Sequence, residues 1–339
     1  MNLNEEKYTR FGLCKDMLAT ADIVAKFDCD RMKATADAIK AKGKLFMTGE
    51  GSSRIFPAKH AMKLAMQRGY DLQLATDAGK QAQAYDLSQW AVMGMSNSGR
   101  TAEVIQLFQQ LANAGHADRY SLTAFADSKL ESLASQGYVL SCGEEGAVAA
   151  TKSVLEQALF YQALIEHAAG DVTLPGRLGG LGNSVREALT TTIDPALTDR
   201  IAAARLICFA GRNDGVAEEL TLKTNEITRK TSDFFEGTYG AHGVEEVLNP
   251  EDVIIWIDPY EDQEAKFDDV LVKGVGLTII AVSSRPTRFP TIRIPDAGDL
   301  SGYVQMAAGW NILVETGIKL GIDLDKPERA RKVGNEFVG

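Results

Sequence analysis

Short apolar runs alternate with longer stretches of helical period, and the alternation occurs twice along the chain. The runs at 44–48, 72–75, 90–95, 120–125 and 138–141 are separated by segments of helical spacing, and a long helical segment follows at 149–167. After a Gly- and Pro-rich stretch at 170–182 the pattern restarts, with runs at 205–210, 253–257, 277–282 and 291–294 and a last long helix over 300–320. Strands joined through helices pair in parallel and are covered on both faces. The expected architecture is therefore α/β, with two subdomains, each a parallel sheet flanked by helices. The expected divisions are a helical segment at 1–40, a first subdomain at 41–170, a linker at 171–195, a second subdomain at 196–320 and a tail at 321–339.

Length and charge narrow the function classes. The chain has 339 residues, 45% hydrophobic and 24% charged, as an ordinary globular protein does. Its net charge of −10 argues against nucleic acid or an anionic membrane as the main partner. Met1–Lys7 shows no basic segment followed by an apolar core, and no apolar run is long enough to span a bilayer. Cys14, Cys29, Cys142 and Cys208 are far apart, so a reduced, cytoplasmic protein with no metal site is expected.

The segment Ser96-Asn97-Ser98-Gly99-Arg100-Thr101 joins the apolar run at 90–95 to an amphipathic helix carrying Val104, Leu107, Phe108 and Leu111. Two readings are open. Small hydroxyl residues before a helix commonly serve as an N-cap and turn. The same arrangement offers a phosphate the N–H groups and positive dipole end of the helix, with Gly99 allowing close backbone approach. In the second half the corresponding loop is Asp258-Pro259-Tyr260-Glu261-Asp262, which would repel phosphate, so an anion is expected in the first half alone.

These motifs, with Gly51-Ser52-Ser53, Val148-Ala149-Ala150-Thr151-Lys152 and Asp325-Lys326-Pro327 followed by Lys332, resemble those of the sugar isomerase (SIS) double-domain family. The likeness is greatest to the isomerase half of glucosamine-6-phosphate synthase and to stand-alone phosphosugar deaminases and deglycases. The resemblance implies two flavodoxin-like subdomains and a homodimer with shared active sites. It also implies that Ser96, Asn97, Ser98 and Thr101 surround a phosphate, that Ser52 and Ser53 line the sugar, and that Val148 and Ala149 close over it.

Aldose–ketose isomerisation moves a proton between adjacent carbons and needs a base. By the resemblance, Glu226 is that base, His242 opens the sugar ring and Lys332 forms a Schiff base or holds negative charge. Of the other histidines, His60 reads as structural, His116 as exposed in a turn, and His167 as a partner of a helix end. The loop Thr238-Tyr239-Gly240-Ala241 and the Val244-Glu245-Glu246 after His242-Gly243 depart from the family pattern, which bears on substrate identity. The expected reaction, without cofactor, is isomerising deamination of a hexosamine 6-phosphate. The alternatives are a deglycase of sugar–amino-acid phosphates, a plain isomerase, or a non-enzymatic sugar-phosphate sensor.

Overall fold

The computed structural model describes residues 1–329 and 336–337; Lys332 lies outside the described residues. The chain opens with α1 (Glu6–Thr9), α2 (Gly12–Ala25) and α3 (Lys33–Lys42). There follow β1 (Lys44–Gly49), α4 (Ile55–Arg68), β2 (Gln73–Ala78), α5 (Gly79–Ala82), β3 (Ala91–Ser96), α6 (Ala102–Asn113), β4 (Arg119–Thr123), α7 (Lys129–Leu133), β5 (Gln136–Val139) and α8 (Lys152–Ala169). The second half holds α9 (Leu178–Thr190), α10 (Pro195–Ala203), β6 (Ile207–Gly211), α11 (Val216–Thr228), β7 (Ser232–Glu236), β8 (Val253–Ile257), α12 (Glu264–Phe267), β9 (Thr278–Ser283), β10 (Thr291–Arg293) and α13 (Ser301–Lys319).

Two five-stranded sheets form, in the orders β2-β1-β3-β4-β5 and β10-β9-β8-β6-β7. Every strand pair is parallel. Counted from β6, the second order is the first read from the opposite edge, so the duplication expected from the sequence is a duplication of topology. β3 and β8 are buried along their whole length, as central parallel strands covered on both faces must be. Around the first sheet Phe46, Val92, Leu107, Phe108 and Leu130 share one apolar cluster. In the second, Trp256 stacks on Phe267 at 3.9 Å between ring centroids.

The chain forms two compact units. One comprises 22–145 and 150–180, with the described tail residues 329, 336 and 337; the other comprises 1–21, 146–149 and 181–328. Three local expectations are corrected. The Gly- and Pro-rich stretch at 170–182 reads as a linker with a helix after it, but that helix, α9, already begins at Leu178. β7 was not anticipated: it is a sheet-edge strand carrying Asp233 and Glu236, and only Phe235 of its five residues is buried. His116 is half-buried rather than exposed, with its Nε2 3.0 Å from the Leu87 carbonyl oxygen.

Candidate active site

In the first unit the chain leaves β3 at Ser96 and turns into α6. Gly99 takes φ +64°, and a Cβ there would lie 2.4 Å from the Ser128 Cβ, so both backbone angle and space require glycine. Ser96 Oγ accepts the Gly99 N–H at 3.1 Å and lies 2.7 Å from Thr101 Oγ1. Ser98 Oγ accepts the Arg100 N–H at 3.2 Å. Thr101 occupies the N-cap position of α6 but its side chain makes no capping bond. Of the cap-and-turn reading, the turn is present, in the bonds to Ser96 and Ser98, and the side-chain cap is not. The first-turn N–H groups of α6 keep the donor capacity that a helix N-terminus offers an anion.

Sheet order brings a second loop alongside. β1 and β3 are neighbours, and the chain order reverses between them, which is where α/β sheets hold ligands. A Cβ on Gly49 would lie 2.9 Å from the Met95 carbonyl oxygen, showing how closely the two strand ends approach. Ser52 and Ser53 follow in a 3-10 turn, Gly51–Ser53, at the end of β1. Ser53 Oγ is 3.4 Å from Gln157 Nε2 of α8, and Asn97 Nδ2 is 2.9 Å from Ser153 Oγ of the same helix. The unit thus gathers Ser52, Ser53, Ser96, Asn97, Ser98 and Thr101 at one end of the sheet. Val148 and Ala149 fall in the short stretch that belongs to the other unit, where the Gly146 N–H donates to Asp16.

A cavity of about 800 Å³ adjoins the loop. Asn97, Ser98, Arg100 and Lys129 contribute polar groups to it, with Phe125 and Ile105 on its apolar side. The tail closes one edge: the Phe337 N–H donates to the Arg100 carbonyl oxygen at 2.9 Å, and Glu336 pairs with the Arg100 guanidinium at 3.4 Å.

The second unit carries the candidate acid–base groups. α11 follows β6 through a turn ending at Gly215, in the left-handed region, and Glu226 stands in its last turn. Glu226 is 29% exposed and accepts a hydrogen bond of 2.5 Å from Lys223. Lys223 is fully buried, and Glu219, also fully buried, lies 3.3 Å from it on the other side. Burial lowers the pKa of Lys223, but Glu226 and then Glu219 more than offset that and hold it above the ordinary lysine value. The sequence reading missed Lys223. Its signal was the Glu219/Lys223/Glu226 spacing, which puts all three on one helix face.

The helix end is tied to the C-terminal motif. Arg229, at φ +55°, donates to the carbonyl oxygens of Asp323 at 3.1 Å and Lys326 at 2.6 Å. Asp325 accepts the Gly12 and Leu13 N–H groups at 2.7 and 2.9 Å, from the start of α2. His242 sits in the exposed loop after β7, with Nε2 3.2 Å from Lys266 Nζ and 3.5 Å from Thr238 Oγ1. An ammonium only donates, so Nε2 is the acceptor of that contact. Among the described residues no hydrogen bond or ion pair joins His242 to Glu226. Asp258 of the acidic loop forms an ion pair with Arg212 at 2.9 Å.

Residues 38–167 match the SIS domain family. The match covers the first sheet and its helices, and the two parallel five-stranded sheets of matching order are a fold that the chain shares with solved structures. The C-terminal domain of glucosamine-fructose-6-phosphate aminotransferase from Francisella tularensis superposes with a TM-score of 0.80 at 16% identity, over 96% of this chain and all of that one. Glucosamine-6-phosphate deaminase from Thermotoga maritima gives 0.72 at 16% identity, over 95% of this chain and 98% of that one. Tagatose-6-phosphate ketose/aldose isomerase from Escherichia coli gives 0.75 at 13% identity, over 96% and 99% of the two chains. In sequence, glutamine–fructose-6-phosphate aminotransferase [isomerizing] from Aeropyrum pernix is 24% identical over 268 residues, which is 71% of this chain and 42% of that protein.

Proposed function

We propose that the protein is an isomerising deaminase of a hexosamine 6-phosphate. The observation that carries this is the start of α6, which lacks a side-chain cap and has the hydroxyls of Ser96, Ser98 and Thr101 around it. His242 opens the sugar ring. Glu226, held by Lys223, removes the proton from one carbon and returns it to its neighbour. The resulting imine takes up water, releasing ammonia and fructose 6-phosphate. Ser52 and Ser53 line the sugar, Val148 and Ala149 cover it, and Lys332 holds charge on a sugar oxygen or bonds the open ketose. The protein works in the cytoplasm as a homodimer.

A second reading has its own support. The cavity of about 800 Å³ exceeds what a phosphate alone fills, and it mixes Lys129 and Arg100 with Asp127, Glu144 and Phe125. Such a lining suits the amino-acid part of a sugar–amino-acid phosphate, the substrate of a deglycase.

Thermal shift against glucosamine 6-phosphate, fructose 6-phosphate and a fructosamine–amino-acid phosphate separates these readings, because a ligand of the native state raises its apparent stability. A shift with the first two, followed by ammonia release, supports the deaminase; a shift with the adduct alone supports the deglycase. Glu226→Gln is expected to bind ligand and lose turnover by at least about a hundredfold. Phosphosugar binding without turnover in the parent protein would mean a sensor.

A further inference from the structure

We infer that Glu145 and Ser153 are positioning residues that lock the side-chain amide of Asn97 in one orientation, and so set the hydrogen-bonding pattern the loop after β3 offers a ligand. The identity of that ligand rests on the phosphosugar reading; the lock itself does not.

Glu145 is 4% exposed and Ser153 1%. Glu145 Oε1 accepts the Thr151 and Ser153 N–H groups, both at 3.0 Å, and the Ser153 hydroxyl at 2.6 Å. Its Oε2 accepts the Thr151 hydroxyl at 3.3 Å. The carboxylate thereby takes N–H groups at the start of α8, the role a capping side chain usually fills.

The consequence for Asn97 follows from counting protons. An oxygen already taking two backbone N–H groups is an acceptor, so the single Ser153 hydroxyl proton points at Glu145. Ser153 Oγ then has only lone pairs for its remaining neighbour, Asn97. The amide must present nitrogen to Ser153, as it does at 2.9 Å. Rotated by half a turn, it would set Oδ1 against lone pairs at a part-buried contact, with no hydrogen between them.

With one N–H committed to Ser153, Asn97 keeps its other N–H and its carbonyl oxygen for a ligand, on the wall of the cavity it shares with Ser98 and Arg100. A donor beside an acceptor complements a hydroxyl, which is both. A phosphate dianion is acceptor only. Asn97 therefore reads a hydroxyl of the sugar, while the serine and threonine hydroxyls and the α6 N–H groups take the phosphate.

Calorimetric titration of the parent, Ser153→Ala and Ser153→Thr with fructose 6-phosphate and with inorganic phosphate tests this. Without the hydroxyl the amide is free to turn, and Ser153→Ala is expected to weaken fructose 6-phosphate about tenfold and inorganic phosphate less than about twofold. Ser153→Thr, which keeps the hydroxyl, restores the difference. A general loosening of the loop would weaken both ligands together, and that result, or no change in either, overturns the specificity role. Glu145→Ala also removes the cap of α8 and is expected to damage folding, so Ser153 carries the test. Hydrogen exchange of the Asn97 side-chain amide, followed by NMR without ligand, decides the lock independently of substrate. It is expected to be slow in the parent and the threonine variant and faster in the alanine variant. Equal exchange in all three overturns the lock, whereas a parent that binds neither ligand overturns the phosphosugar reading.

Discussion

Lys223 is an ammonium with no exposed surface, and its tolerance depends on the carboxylates of Glu219 and Glu226 within 3.3 Å and 2.5 Å. Its pKa stands above the ordinary lysine value, so the stability it contributes is complete at neutral pH and is lost only as pH rises through that raised value. Removing one member of such a group leaves an uncompensated charge. Lys223→Met is expected to cost about 3–5 kcal/mol in urea unfolding, because Glu219 stays buried while Glu226 can turn to water. Adding Glu219→Gln should recover a large part of that loss. A single-variant cost under about 1 kcal/mol would mean that the buried carboxylate finds protons or water easily, and that Lys223 does not hold Glu226 in place. The group also shows where the sequence stopped being informative about the site. Glu226 was singled out only through the family resemblance, since by itself it reads as a solvated glutamate near a helix end. Lys223 was not, because a lysine between two glutamates on a helix reads as a solvated face; burial of Leu220 and Ile227 beside it is a tertiary fact.

At the scale of elements, the Asp-Lys-Pro motif acquires a physical role. Asp325 caps the start of α2 with two hydrogen bonds, and Arg229 at the end of α11 grips the carbonyls on either side of it. The helix that bears Glu226 and the root of the C-terminal tail are therefore held to one another. Asp325→Ala is expected to lower stability by about 1–2 kcal/mol, the usual worth of a lost cap, and to reduce turnover by more than that destabilisation explains. Asp325→Asn, which keeps an acceptor, should retain most of both. Lost stability with unchanged turnover would leave the motif a fold anchor alone. Motifs of this kind could be found by eye because they cluster small, polar or imino residues between apolar runs. The same contrast made the central strands legible: Val253–Ile257 is apolar throughout because both its faces are covered. It failed for β7, where the sheet edge leaves Asp233 and Glu236 in water and the sequence Ser-Asp-Phe-Phe-Glu carries almost no period. It placed the start of α9 too late, because the first turn contains the poor helix formers Gly179 and Gly180, although Leu178 and Leu181 are buried.

At the scale of the whole molecule, the groups proposed for one reaction are divided between the two units. The loop after β3 belongs to one unit and the α11 carboxylate to the other. His242 is an exposed side chain whose partners are Lys266 and Thr238, with no bond to Glu226 among the described residues. An exposed histidine on a glycine-flanked loop suits a group presented to a neighbouring copy, and a two-fold dimer would then hold two sites, each completed by its partner. The arrangement predicts complementation. Glu226→Gln and His242→Ala should each be inactive alone. Mixed in equal amounts under conditions that exchange subunits, half of the dimers are hybrids, and each hybrid has one site with both residues intact and one with neither. Turnover should then return to about one quarter of the parent value. Sedimentation must show the dimer in every sample, so that failed exchange is not mistaken for a negative result. If exchange is complete and turnover stays at the level of the separate variants, His242 and Glu226 act within one chain, and the loop after β7 must close onto its own α11.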